Sequence, residues 1–195
     1  MRKLRTETRV NAVGEIKRNG RTLSMLAATF LCGLILGAIA YPALEEETRE
    51  LASSLRELIG GGNQLQTAFK VFLKNTESTL ITLALGPTIV LPPLVVFSNG
   101  FVTGLVVRMA LEEGKPAINI IASLIPHGIV ELTAFFLTAA LGMNTGFSII
   151  NPKGKTRLKA AEEAAKKALL VYATTVLPLL LAAEFAEVYI STKLI

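Results

Sequence analysis

Long stretches of this sequence lack charge altogether. Positions 22–43, 78–107 and 168–183 hold no Asp, Glu, Lys or Arg, and 116–152 is interrupted only by His127 and Glu131. A soluble domain does not leave uncharged runs of this length, whereas a bilayer core about 30 Å thick takes about 20 apolar residues per helix. Cysteine is also scarce: Cys32 alone, inside the first apolar run, excludes an intrachain disulfide and a thiolate metal cluster. No Asn-x-Ser/Thr acceptor for glycosylation occurs. There is one histidine and no His-Glu-x-x-His, so the usual zinc-hydrolase signature is missing. Gly154-Lys155-Thr156 has the ending of a phosphate loop, but Ile149 stands where the first glycine belongs, so nucleotide binding is dismissed.

The charge that is present is placed unevenly. Residues 1–21 contribute +5 and 143–167 contribute +4, whereas 42–77 is −2 and 108–116 is neutral. Basic segments confined to alternate loops are the product of topology selection rather than a nucleic-acid footprint, so no nucleic-acid partner is expected. The expectation is an all-α polytopic membrane helix bundle in the cell membrane, with its amino terminus in the cytoplasm. Residues 1–21 form a basic cytoplasmic tail, and 22–195 a single membrane domain. That domain has an extracytoplasmic helical segment at 43–74 and a basic cytoplasmic loop at 143–167. Ala38-Ile39-Ala40 could end a signal peptide, but the long apolar run before it reads as an anchor.

Returning 143–167 to the cytoplasm requires 78–107 to fold back on itself. Gly86-Pro87 and Leu91-Pro92-Pro93 break helices there, which predicts a pair of short, broken or re-entrant helices and about five membrane-crossing segments in all. Leu44, Thr48, Leu51, Leu55 and Leu58 form a stripe on one helix face, ended by Gly60-Gly61-Gly62. It packs on its own protein, with dimerisation as the lesser reading. Residues 63–74 form an amphipathic stretch suited to the membrane surface. Glu162–Lys166 and Glu163–Lys167 are helix-spaced pairs, so the last helix starts before the bilayer. Gly33 with Gly37, Gly100 with Gly104, and Gly142 with Gly146 have the spacing that lets helices approach closely, by default within the chain.

Polar groups at membrane depth are the informative residues. An acidic side chain at a helix centre costs about 2.5–3.5 kcal/mol on insertion scales, so it faces protein or water rather than lipid. His127 and Glu131 share a helix face; Glu184 and Glu187 lie near the end of the last apolar run; Asn75, Asn99 and Asn144 add amides. Three readings stay open: a hydrogen-bonded packing cluster, a proton or ion relay, or a divalent metal held by His127, Glu131 and Glu187. No other cofactor is expected. The helices around 118–141 and 168–190 are expected to pack together, with His127, Glu131 and Glu187 converging beside Asn75 or Asn99. Separations beyond about 10 Å, more than one bridging water, would exclude a shared site.

Ile125-Pro126-His127-Gly128-Ile129-Val130-Glu131-Leu132 resembles the signature of the stage II sporulation protein M family. Phe72-Leu73-Lys74-Asn75, Asn99-Gly100 followed by Gly104, and the segment from Ala183 through Glu187-Val188-Tyr189-Ile190-Ser191 resemble its other landmarks. They come in the family's order over essentially the whole chain. The resemblance implies a multi-spanning protein with a cytoplasmic amino terminus. Its sporulation members act as a membrane scaffold beside peptidoglycan-degrading partners, but the family also occurs in organisms without spores or peptidoglycan. The positions carried over are His127, Glu131, Asn75, Asn99 and Glu187; Glu184 is outside the pattern. The function expected is a non-enzymatic membrane scaffold or assembly component, in contact with lipid, with other membrane proteins and with a second copy in the dimeric case. The alternatives are an ion- or proton-linked transporter using the His/Glu/Glu cluster and an intramembrane metalloenzyme.

Overall fold

Pro, Gly and clustered charge mark where each helix of this chain starts and stops. The computed structural model describes residues 12–59 and 63–184, without the side chains at 12, 56, 58–59 and 122–127; among the described residues all regular structure is helical. A short α1 (Ala12–Arg18) leads into α2 (Gly20–Ala40), an apolar helix ended by the 3-10 turn at Tyr41–Ala43, where Pro42 cannot extend it. Helix α3 (Glu45–Ile59) opens with Glu45, Glu46 and Glu47, which complement the positive end of the helix dipole. Helix α4 (Gln64–Ala84) starts on a capping box: Asn63 Oδ1 accepts from the Gln66 amide at 2.9 Å, and Gln66 Oε1 accepts from the Asn63 amide at 3.1 Å.

The chain then reverses in six residues. Gly86-Pro87-Thr88 makes a 3-10 turn, Ile89 takes a left-handed φ of 64°, and Thr88 Oγ1 accepts from the Leu91 amide at 3.1 Å to start α5 (Leu91–Glu112). Pro92 and Pro93 fall in the first turn of α5, where a missing N–H costs nothing, so they begin a helix instead of breaking one. After Gly114 and Pro116 comes α6 (Ala117–Ile150), 34 residues and about 51 Å long. Helix α7 (Arg157–Val171) is capped by Thr156, passes through a π-helical turn at Tyr172–Val176, and continues to Glu184. Pro178 follows that turn. It has no N–H to bond back along the helix, and the wider turn relieves its ring's crowding of the preceding carbonyls.

Among the described residues four helices are long and apolar enough to cross a membrane: Gly20–Ala43, Leu91–Glu112, Gly128–Ile150 and Arg157–Glu184. Helix α4 matches them in length at 21 residues, but Lys70, Lys74 and Glu77 lower its hydropathy. Several boundaries differ from the sequence reading. The window 78–107 holds parts of two long helices, α4 and α5, rather than two short ones. Residues 64–74 are the first half of α4, capped by Asn63, so the amphipathic stretch runs without a break into the apolar residues that follow. Residues 143–150 belong to α6, which shrinks the basic loop to 151–156, because nothing before Asn151-Pro152 interrupts that apolar helix. On α3, Thr48 and Ala52 are buried while Leu51 and Leu55 are each 36% exposed, so the inward face is rotated from the leucine stripe. As expected, the last helix starts within the basic segment, and Lys166 pairs with Glu162. Glu163 pairs instead with Lys155, and Lys167 reaches Glu15 at 3.0 Å.

Helices α2 and α5 run parallel with their backbones in contact. A Cβ built on Gly33 would lie 2.3 Å from the Phe97 carbonyl oxygen, and one on Gly37 would lie 2.0 Å from that of Phe101. From the other side, Gly100 faces the Phe30 carbonyl at 2.2 Å and Gly104 that of Leu34 at 2.0 Å. Both pairs advance together, which fixes the parallel register. The turn after α4 sits equally tightly on α6: a Cβ on Gly86 would be 2.2 Å from the Gly142 Cα, and one on Gly146 would be 2.7 Å from the Pro87 carbonyl oxygen. Helix α6 is the central element, with 67% of its span window buried against 22% for α2. It serves two apolar clusters: Leu137 and Leu141 meet Leu83, Val171 and Leu180 on one side, and Phe135 and Met143 meet Leu26, Phe30 and Val96 on the other. One end of the bundle is tied by Asn144 Nδ2 donating to Asn19 Oδ1 at 2.8 Å. The opposite end gathers Tyr41, Ala52, Leu105 and Met109. Ile35 and Ile39 of α2 and Leu94 of α5 lie exposed on the outer faces of these helices, with Val90 exposed in the turn before α5, as an apolar solvent favours.

Candidate functional site

The apolar interior is broken near mid-length of the long helices by one connected polar region. Asn75 and Thr79 are one turn apart on α4 and face α7. Asn75 Nδ2 donates to Glu184 Oε1 at 2.8 Å, and Glu184 is only 1% exposed. Thr79 Oγ1 and Tyr172 Oη are hydrogen-bonded at 2.8 Å, and the tyrosine hydroxyl also lies 3.3 Å from the Thr76 carbonyl oxygen, to which it donates. These contacts tie residues about a hundred positions apart. Without them, burying the amide and hydroxyl groups would cost about 1–3 kcal/mol each.

Beside this seam lies a cavity of about 170 Å³, lined by Asn75, Ser78 and Thr79 of α4, Asn99 and Thr103 of α5 and Glu131 of α6. Phe30 of α2, Leu132 and Phe135 of α6 and Leu180 beyond the π turn complete its wall. Asn99 is exposed on the α5 side; its Nδ2 donates to the Val95 carbonyl at 2.9 Å, and Thr103 Oγ1 donates to the Asn99 carbonyl at 2.8 Å. Glu131 Oε1 is buried and has no hydrogen-bond partner among the described residues. Among the described residues no lysine or arginine lines the cavity; Arg108, the nearest basic residue in the apolar sequence, is exposed and paired with Glu112 at 2.5 Å.

Of the five polar positions singled out in the sequence, Asn75, Asn99 and Glu131 line this one cavity. The His127 side chain and Glu187 lie outside the described residues, and with them the convergence of His127, Glu131 and Glu187 and the metal reading. Among the described residues no three His, Cys, Asp or Glu side chains gather as metal ligands. The carboxylate that meets α4 is Glu184, which sequence reasoning set aside. Its signal was there in part, as an acidic residue closing an otherwise uncharged run. Tyr172 and Thr79 carried no such signal, since a lone hydroxyl on an apolar helix is common.

A family model described as Stage II sporulation protein M matches residues 26–192, a span that includes every lining residue of the cavity. Comparison with curated proteins and with solved structures gives no match.

Proposed function

The chain belongs to the stage II sporulation protein M family, and from that premise we propose that it is a non-enzymatic, multi-pass membrane scaffold that holds other membrane proteins in an assembly. The observation that carries this reading is the cross-helix tying of the interior. Asn75 is bonded to Glu184 and Thr79 to Tyr172, while α2 and α5 touch backbone to backbone. Groups fixed in this way favour a rigid block over a pathway that must rearrange to pass a substrate. In this reading the partners are the lipid bilayer, other membrane proteins and, where the chain dimerises, a second copy; nucleic acid is not among them.

The topology that goes with it has five crossings, by α2, α4, α5, α6 and the helix from Arg157 to Glu184, with the amino terminus in the cytoplasm of a cell membrane. Helix α4 earns its place by length, 21 residues or about 31 Å, and by burying Thr79, Thr82 and Leu83. Five crossings bring residues 1–21 and the 151–156 loop to one side, which accords with their shared positive charge. They leave α3, with its acidic first turn, on the other side.

A second reading, an ion- or proton-linked transporter, is favoured by the cavity holding Glu131, Asn75 and Asn99 at mid-depth. Purified protein in sealed liposomes separates the two. A scaffold gives proton, sodium and potassium fluxes equal to those of protein-free vesicles. A flux that disappears in a folded Glu131→Gln variant would overturn the scaffold reading.

A further inference from the structure

We propose that the cavity between α4, α5 and α6 binds a single hard monovalent cation of the sodium class, held by oxygens of Glu131, Asn75 and Asn99. The argument is a count of donors against acceptors. Asn75 Nδ2 is directed at the Glu184 carboxylate, which cannot donate while ionised, and Asn99 Nδ2 at a backbone carbonyl, which never donates. The orientation of both amides is therefore forced, and each is left with its oxygen unpartnered among the described residues. Thr103 uses its hydroxyl proton on the Asn99 carbonyl, and the Thr79 hydroxyl has its single proton committed to either Tyr172 or the Asn75 carbonyl, both at 2.8 Å. Both hydroxyls still offer lone pairs. Glu131 Oε1 is a buried acceptor with no donor among the described residues.

The wall thus offers more oxygen lone pairs than free donors, which are the Ser78 hydroxyl and the second N–H of each amide; it carries the Glu131 carboxylate and, among the described residues, no lysine or arginine. A water molecule would satisfy some lone pairs but none of the charge. A cation satisfies both. The all-oxygen set selects a hard ion. Calcium collects several carboxylates and magnesium keeps an octahedral water shell, whereas one free carboxylate oxygen among neutral amides and hydroxyls matches a single positive charge. About 170 Å³ leaves room for the ion with part of its water shell. A cation there would join α4, α5 and α6, which otherwise meet at this depth through few direct polar contacts.

The inference stands apart from the scaffold reading, because its test contains no partner and no transport. Full-length protein in detergent is melted by far-UV circular dichroism in N-methylglucamine chloride, with NaCl, KCl, choline chloride or CaCl₂ substituted at constant ionic strength. Sodium should give a saturable rise in Tm of about 5 °C or more, with choline inert. Glu131→Gln, which keeps the shape and removes the charge, should raise the half-saturating sodium concentration at least tenfold. Thr103→Val keeps the carboxylate and should raise it by a smaller factor; if Glu131→Gln does not fold, this variant decides. Line broadening of the ²³Na resonance by the unmodified protein, abolished by Glu131→Gln and weakened by Thr103→Val, would support the same site. Equal rises with choline or potassium, a rise with calcium alone, or a sodium response unchanged in the variants would each overturn the proposal. So would a Tm that follows pH and ignores sodium, since a proton would then occupy the carboxylate.

Discussion

Gly37→Ala tests the parallel seam between α2 and α5 most directly. The added methyl would lie 2.0 Å from the Phe101 carbonyl oxygen, 2.8 Å from its carbonyl carbon and 3.0 Å from its Cα, all of them backbone atoms that no rotamer change can move. Ordinary contact begins near 3.4 Å, so the helices must separate locally by more than 1 Å. A gap of 0.5–1 Å already forfeits about a quarter to a half of the dispersion attraction between facing atoms. With the about 1–3 kcal/mol typical of an overpacked core, the expected loss is near 3 kcal/mol. In a chain of this size that lowers Tm by roughly 6–12 °C, at about 2–4 °C per kcal/mol. The control is Gly20→Ala, where a Cβ meets nothing within 4 Å and alanine's helix preference should add up to about 1 kcal/mol of stability. Circular dichroism in detergent reads both variants, since helix content is the signal. Gly37→Ala combined with Gly104→Ala should cost less than the sum of the two, because the first methyl has already opened the seam for the second. A Gly37→Ala protein that melts at or above the unmodified temperature would refute the register.

Two further outcomes follow from contacts already described. A double-mutant cycle on Asn75→Leu and Glu184→Leu should return a coupling of about 1–2 kcal/mol, the worth of a hydrogen bond to a buried carboxylate; a coupling near zero would mean the pair does not hold α4 to α7. With Cys32 replaced by serine, Ser53→Cys and Lys155→Cys should label with impermeant reagents from opposite faces of the membrane, Lys155→Cys from the cytoplasm. Labelling from the same face would exclude five crossings.

Much of the helical layout was legible because lipid imposes a one-dimensional signal. Uncharged runs mark α2, α5, α6 and the end of α7 without reference to any neighbour. Helix α4 was half hidden. Lys70, Lys74 and Glu77 made its first half read as a surface helix, and Gly86-Pro87 read as a break inside the membrane rather than as the end of a long helix. The prolines at 92 and 93 were legible as disruption but not as initiation, since their meaning depends on whether the helix lies before or after them. Pairing is what a lone sequence does not encode. Gly33 and Gly37 announced a close approach, but that their partners are Gly100 and Gly104, and that Gly86 meets Gly142, depends on how the helices are arranged. The same holds for the site. Asn75, Asn99 and Glu131 stood out as polar groups in apolar surroundings, whereas Glu184 acquires its role only from Asn75, 109 residues earlier.

The π-helical turn at Tyr172–Val176 bears on how this helix tolerates change in its length. There the Leu177 amide bonds the Tyr172 carbonyl, five residues back, so the turn takes up one residue more than a regular α-helix would. Relative to a regular helix of the same sequence, everything after it is therefore set back by one position, about 100° in angular phase and about 1.5 Å along the axis. Tyr172, ahead of the turn, and Glu184, beyond it, meet the same helix α4 with that offset included. A one-residue deletion within the turn would restore a regular helix and leave Glu184 facing Asn75, whereas a deletion beyond it, with the wide turn retained, would turn Glu184 away. Among the described residues, the turn is therefore the one stretch where this helix can give up a residue and keep its contacts with α4 on both sides.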